Sequence, residues 1–171
     1  GATLFARNRG FRNFNPLSDE MKVLFEEKKN CSLEEIEELQ RQFSNETVGA
    51  IAIDVFGNMA AALSTGGIIF HLPGRVSDVP LLGGGIYVSE RGATTITGKG
   101  EVIAKEMIAK KVDDYLSEHS AEEAAKDIIQ EFEIDFGIIV VDQDSKVGIA
   151  YNTDSMSWGI KTQDYKEVQS E

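Results

Sequence analysis

Eleven of the chain's 16 glycines fall between Gly49 and Gly100, at positions 49, 57, 66, 67, 74, 83, 84, 85, 92, 98 and 100. They interrupt apolar, β-branched sequence, where glycine offers no side chain to pack and weakens a strand. At that density the backbone must approach something closely or adopt positive φ angles around a site. The folding unit is therefore expected to be strand-rich here. Val48 to Asp54 and Met59 to Leu63 read as two largely buried strands joined through Phe56-Gly57-Asn58. Gly84 to Ser89 and Ala93 to Ile96 read as two further short strands.

Downstream the period changes. Ile108, Val112, Tyr115 and Leu116 share one face of a helix expected over Glu101 to Leu116. Ser120 with Glu123 is a capping box that opens a second helix reaching about Phe132. Phe136 to Val141 and Val147 to Tyr151 then form a hairpin around the Asp142-to-Lys146 turn. Hairpins followed by a helical pair and another hairpin predict an α+β fold, a sheet covered by helices. Residues 12 to 46 contrast with this. Pro16 marks a turn, and Ser32 with Glu35 caps at most one short charged helix in what otherwise has the composition of a flexible, solvated linker. The division expected is residues 1–46 and residues 47–171.

The 171 residues suffice for one domain. Seventeen Lys and Arg against 29 Asp and Glu leave a net charge of −12, which argues against nucleic-acid partners. No stretch approaches the roughly 20 apolar residues of a membrane helix, so no membrane partner is expected. A single cysteine, Cys31, cannot form an internal disulfide or a Cys-based zinc site, and agrees with a cytoplasmic location. Gly98-Lys99 fails as a phosphate loop because Gly92 is too distant and Gly100 stands where Ser or Thr must bind magnesium. Asp142-Gln143-Asp144 lacks the Gly and the closing Glu of a calcium loop. His71 and His119 have no ligand spacing and read as surface residues; no metal or cofactor is expected.

What remains carries chemistry. Thr47, Thr65 and Thr97 each stand close to glycine, and Arg75 and Asp78 lie three apart in the loop bounded by Pro73, Gly74 and Pro80. Arg grips a carboxylate in bidentate fashion and Asp holds an ammonium, so the pair suits an amino-acid-like ligand; a simple loop salt bridge satisfies the same spacing.

Those residues occur in order in Thr47-Val48-Gly49-Ala50-Ile51-Ala52-Ile53-Asp54, Gly57-Asn58, Ser64-Thr65-Gly66-Gly67, Gly74-Arg75-Val76-Ser77-Asp78-Val79-Pro80 and Thr97-Gly98-Lys99-Gly100-Glu101. This series resembles the nucleophile-bearing half of the plant-type L-asparaginases, or isoaspartyl peptidases, which are N-terminal-nucleophile hydrolases. Weaker likeness continues to Asn152-Thr153 and Met156, and Gly1-Ala2, Phe5-Ala6 and Gly10-Phe11 resemble the last helix of the family's first subunit. The resemblance implies a four-layer αββα sandwich, of which this chain would hold the second half. Residues 1–46 would be the end of the α-subunit region and its linker, and 47–171 the β-subunit region. An (αβ)₂ assembly and a partner in the α portion of the same precursor are implied too. A fragment lacking its first half is then expected neither to fold well nor to catalyse alone.

The implied roles transfer position by position. Self-cleavage would fall between Glu46 and Thr47, freeing an α-amine to act as base for the Thr47 hydroxyl. Thr65 would orient that hydroxyl. Arg75 would bind the substrate α-carboxylate and Asp78 its α-ammonium. Thr97 and the Gly98 N–H would form the oxyanion hole, and Gly100 would line the pocket. The substrate implied is L-asparagine or a β-aspartyl peptide. Glu46, Leu63, Phe70, His71, Ser77 and Val79 depart from the family's usual residues. Glu46, Ser77 and Val79 keep in view a precursor that never matures and serves as a binding scaffold; a glycosylasparaginase-like hydrolase, which shares the Thr nucleophile and the Gly-Arg-Val segment, is the other alternative.

Overall fold

The computed structural model describes residues 2–12, 14–15, 17–42, 47–72 and 74–170. Two compact units are present, residues 1–42 and 43–171. The first holds helices α1 (Ala2–Asn8), α2 (Asp19–Lys28) and α3 (Leu33–Gln42). The sequence leads one to expect a single short charged helix after residue 12, which is α3, with Ser32 and Glu35 exchanging hydrogen bonds at 2.8 and 3.3 Å. Helix α2 is additional. Ser18 accepts the Met21 N–H at 3.2 Å, Asp19 and Glu20 occupy the first turn and Lys28 the last, so capping and dipole complementarity form a helix that has no buried residue.

The second unit begins with a hairpin of β1 (Thr47–Ile53) and β2 (Met59–Thr65), paired from Thr47↔Thr65 to Ile53↔Met59. Asp54 closes the turn by accepting from the Phe56 N–H at 2.8 Å and from the Asn58 N–H at 2.9 Å. A four-stranded antiparallel sheet follows, in the order β3 (Ile86–Val88), β4 (Gly92–Gly98), β5 (Phe136–Asp142), β6 (Val147–Tyr151). Ile96, Ile138 and Val140 point to one face of it, into a core shared with Ile103, Ile108, Val112, Ala125 and Ile128 from the helices α4 (Gly100–Glu106), α5 (Ile108–Tyr115) and α6 (Ala121–Glu131). Thr95 and Thr97 alternate to the opposite face, where the β1–β2 hairpin lies. The layers are thus hairpin, sheet and helices, and Val48 on the outer side of the hairpin is 70% exposed.

Hairpin and sheet approach closely at Gly49. A Cβ there would lie 2.7 Å from Thr95 Oγ1 and 2.9 Å from Thr95 Cβ, so glycine lets the hairpin come this near the Thr95 side chain. Leu63, two residues before Thr65, fills the adjacent space. Its two methyls lie 3.2 and 3.0 Å from the Cβ positions of Gly49 and Gly85.

The helix expected over Glu101 to Leu116 is two helices. Met107 takes the left-handed conformation, with φ 53° and ψ 47°, and ends α4. The chain restarts because loop carbonyls are waiting: Ala109 N–H donates to Gly84 O at 3.0 Å and Lys110 N–H to Gly83 O at 2.9 Å. The other polar groups of this triglycine are also engaged. The amides of Gly83, Gly84 and Gly85 donate to Ile86 O, Leu81 O and Asp78 O, and Gly85 O accepts the Ile96 N–H at 2.8 Å.

Buried Asp113 on α5 ties the helix layer to the β3–β4 turn, accepting from Ser89 Oγ and from Arg91 Nη2. Asp142 makes the second tie, taking the Ala121 N–H at the start of α6 and the Lys146 N–H of its own turn at 3.1 and 2.9 Å. Strand β4 is longer than the four residues expected, because Thr97 and Gly98 still pair with Gly137 and Phe136. A last hairpin, β7 (Trp158–Lys161) with β8 (Lys166–Gln169), is not anticipated by the pattern and lies largely exposed. Among the described residues no helix is long and apolar enough to cross a membrane.

Replacing Gly49 by Ala forces hairpin and sheet apart. The variant is expected to lose about 1–3 kcal/mol of unfolding free energy, the usual range for overpacking a close contact. Urea unfolding of the purified protein measures this; an unchanged midpoint would show that the layers have slack at this point.

Candidate active site

Thr47 opens β1 and Thr65 closes β2, so hairpin register alone makes them cross-strand neighbours on the inward face. Thr47 Oγ1 donates to Thr65 Oγ1 at 3.3 Å, and the Gly67 N–H donates to the same Thr65 oxygen at 3.0 Å. Both threonines are half-buried. A β-branched side chain has few χ1 options, which holds these hydroxyls near one geometry. Glu46, the other side of the expected cleavage, lies outside the described residues.

A second cluster forms where the loop after Gly74 meets the start of α4. Arg75 Nε donates to Glu101 Oε1 at 2.7 Å, and Nη2 reaches Ser77 Oγ at 3.4 Å. Ser77 Oγ donates to Asp78 Oδ1 at 2.7 Å. Arg75 and Asp78 are therefore brought together through Ser77 rather than paired directly, and the ion-pair partner of Arg75 is Glu101. Asp78 is only 4% exposed. A Cβ on Gly100 would sit 1.9 Å from Ser77 Oγ and 2.5 Å from Asp78 Oδ1, and one on Gly85 would sit 2.7 Å from Asp78 Oδ2. The carboxylate thus rests between two glycine Cα atoms, which leave it the room a side chain would take.

Leu63 joins the two clusters, packing beside Gly49 on the hairpin and against Gly85 beneath Asp78. Thr97 and Gly98 lie at the end of β4, three and two residues before Gly100, and Thr97 shares the hairpin-facing side of the strand with Thr95. Gly98 has φ 152°, and a Cβ there would collide with Phe136 Cβ at 2.5 Å. Across the ladder from Thr97, Gly137 makes space for Met156, whose sulfur lies 2.4 Å from its Cβ position. Asn152 braces the strand start by accepting the Phe136 N–H at 2.8 Å.

The hydrogen bond from Arg75 holds the Glu101 carboxyl below the usual carboxylate range against a smaller opposing effect of burial. Glu101 is a residue to which the sequence analysis gives no role, although it closes the Thr97-Gly98-Lys99-Gly100-Glu101 run; an acid beside an Arg-bearing loop was the signal available. Leu63 and Ser77 are noticed there only as departures from a pattern. His71 and His119 are both exposed, and among the described residues no group of three His, Cys, Asp or Glu could hold a metal ion.

The comparisons with known proteins agree with one another. A family model described as asparaginase matches residues 1–169. The plant-type L-asparaginase of Pyrococcus furiosus is 34% identical, with 99% of this chain and 61% of that protein aligned. The corresponding protein of Pyrobaculum calidifontis is 36% identical over 93% of this chain and 57% of its own length. The isoaspartyl peptidase of Escherichia coli K12 is 38% identical over 66% of this chain and 38% of its own. The chain therefore spans about three fifths of the archaeal relatives it matches.

Arg75 lowers the Glu101 pKa, so its removal must raise it. In an Arg75→Met variant the Glu101 carboxyl is expected to titrate higher than in the wild type. Carbon-detected NMR of the side-chain carboxyl reads this, and an unmoved midpoint would mean the 2.7 Å pairing contributes nothing in solution.

Proposed function

The chain belongs to the asparaginase family, and on that premise we propose that it is the nucleophile-bearing part of an autoprocessing amidohydrolase acting on L-asparagine or β-aspartyl peptides. The observation that carries this reading is the hydroxyl pair Thr47–Thr65, at 3.3 Å, on the first residue of a strand. A threonine hydroxyl is a weak nucleophile unless a base takes its proton, and the α-amine created by cleavage between Glu46 and Thr47 is such a base, with a pKa of about 7.7–8.0.

The steps then balance. Thr47 Oγ1 attacks the side-chain amide carbon of the substrate while its own α-amine accepts the hydroxyl proton. Negative charge gathers on the carbonyl oxygen, where Thr97 and the Gly98 N–H serve as the oxyanion donors. One such donor is typically worth about 2.7–4 kcal/mol of transition-state stabilisation. The proton passes from the α-amine to the leaving nitrogen, and ammonia or a peptide amine departs as the C–N bond breaks. Water then hydrolyses the β-aspartyl ester and regenerates Thr47. Thr65 orients the nucleophile. Arg75 takes the substrate α-carboxylate, Asp78 faces the α-ammonium, and Gly100 keeps the pocket open beside them. The four-layer αββα sandwich, the α portion as partner and the (αβ)₂ assembly belong to the same reading.

The test uses the complete gene product. After incubation at neutral pH, intact mass and N-terminal sequencing are expected to show a chain that begins Thr47-Val48-Gly49. Asparagine, β-aspartyl-leucine and a glycosylated asparagine are then assayed side by side, with turnover of one of the first two expected. Thr47→Ala should leave a single uncut chain and reduce turnover by about four to six orders of magnitude, as loss of a catalytic nucleophile does. A wild-type chain that stays uncut and turns over none of the three would replace this reading with the binding scaffold. Turnover of the glycosylated substrate alone would move it to the glycosylasparaginase branch.

A further inference from the structure

Ser77 stands between the two charged residues of the substrate-handling loop, and its hydroxyl already does for Asp78 what a substrate ammonium would do. It donates to Asp78 Oδ1 at 2.7 Å. Glycines flank that carboxylate: Oδ1 lies 2.5 Å from the Cβ position of Gly100 and Oδ2 lies 2.7 Å from that of Gly85. At 4% exposure, the carboxylate offers little surface to an incoming cation. An ammonium seeking it must displace the serine hydroxyl and exchange one hydrogen bond for another, so the net gain is small.

Arg75 is placed differently. Glu101 holds it through Nε, and the longer contact from Nη2 to Ser77, at 3.4 Å, is the weaker of its two. A guanidinium carries five N–H donors in a rigid fork, so it retains the means to grip a carboxylate while held in place.

We propose that Ser77 sets the substrate class of this site: it occupies Asp78, so the pocket selects its substrate by the carboxylate bound to Arg75 and discriminates weakly for the α-ammonium. Monoamides of simple dicarboxylic acids, which lack the amine, are then substrates alongside asparagine. This rests on the hydrolase reading above.

The matched probes are L-aspartate and succinate, which differ only in the ammonium, and the amides L-asparagine and succinamate. Calorimetric titration of the matured full-length protein is expected to give wild-type dissociation constants for aspartate and succinate within about threefold. Turnover of the two amides should differ as little in kcat/KM. In Ser77→Ala and Ser77→Gly, aspartate should tighten by about tenfold, the scale of one charge-assisted hydrogen bond, while succinate stays within about twofold. A merely structural role for Ser77 would move both ligands together and overturn the proposal. So would a wild-type preference for aspartate of thirtyfold or more, which decides the matter even if neither variant folds. In either case asparagine hydrolysis by the wild type leaves the hydrolase reading standing. No turnover of succinamate by the wild type overturns this proposal; if neither asparagine nor β-aspartyl-leucine is turned over, the hydrolase reading falls with it.

Discussion

The arrangement depends on how closely a two-stranded hairpin can lie on a four-stranded sheet. At Gly49 the separation is set by a missing side chain, since a Cβ would fall 2.7 Å from Thr95 Oγ1. Strands β1 and β2 are otherwise rich in alanine and β-branched residues, which pack flat. Thr47 and Thr65 close one end of that hairpin, and Thr97 and Gly98 end strand β4 of the sheet it packs on. The chemistry proposed for the site needs those ends near one another, and the layer spacing this depends on is set at Gly49, by residues that take no part in the reaction.

Much of this was legible in advance, and for physical reasons. Both hairpins of the core, at β1–β2 and β5–β6, follow from apolar runs broken by turn residues, and the Ser120–Glu123 capping box marks the start of α6. The threonine pair comes from the family resemblance instead, since the strands expected, Val48 to Asp54 and Met59 to Leu63, stop short of both residues; the observed register sets Thr47 opposite Thr65.

Most of what was not legible required tertiary information. The break at Met107 is written in the carbonyls of Gly83 and Gly84, far away in sequence, and no local helix rule contains it. Helix α2 has no apolar stripe buried against anything, so periodicity could not find it, whereas its Ser18 cap and charge order could. The Arg75–Asp78 spacing left open a clamp or a direct salt bridge, and the structure has a third arrangement, with Ser77 between them and Glu101 on the arginine. Spacing along a loop says which residues can meet; the neighbouring helix start decides which do.

The three consecutive glycines at 83 to 85 have one further consequence. Their six backbone groups are bonded to the loop on one side, to strands β3 and β4 in front, and to the first turn of α5 behind. A segment with no side chains would ordinarily be the first to breathe. Here all three carbonyls accept from the sheet or the helix, at Ile96, Ala109 and Lys110, so the segment cannot leave its place unless those bonds open. The wall behind Asp78 therefore has the lifetime of the core rather than that of a loop.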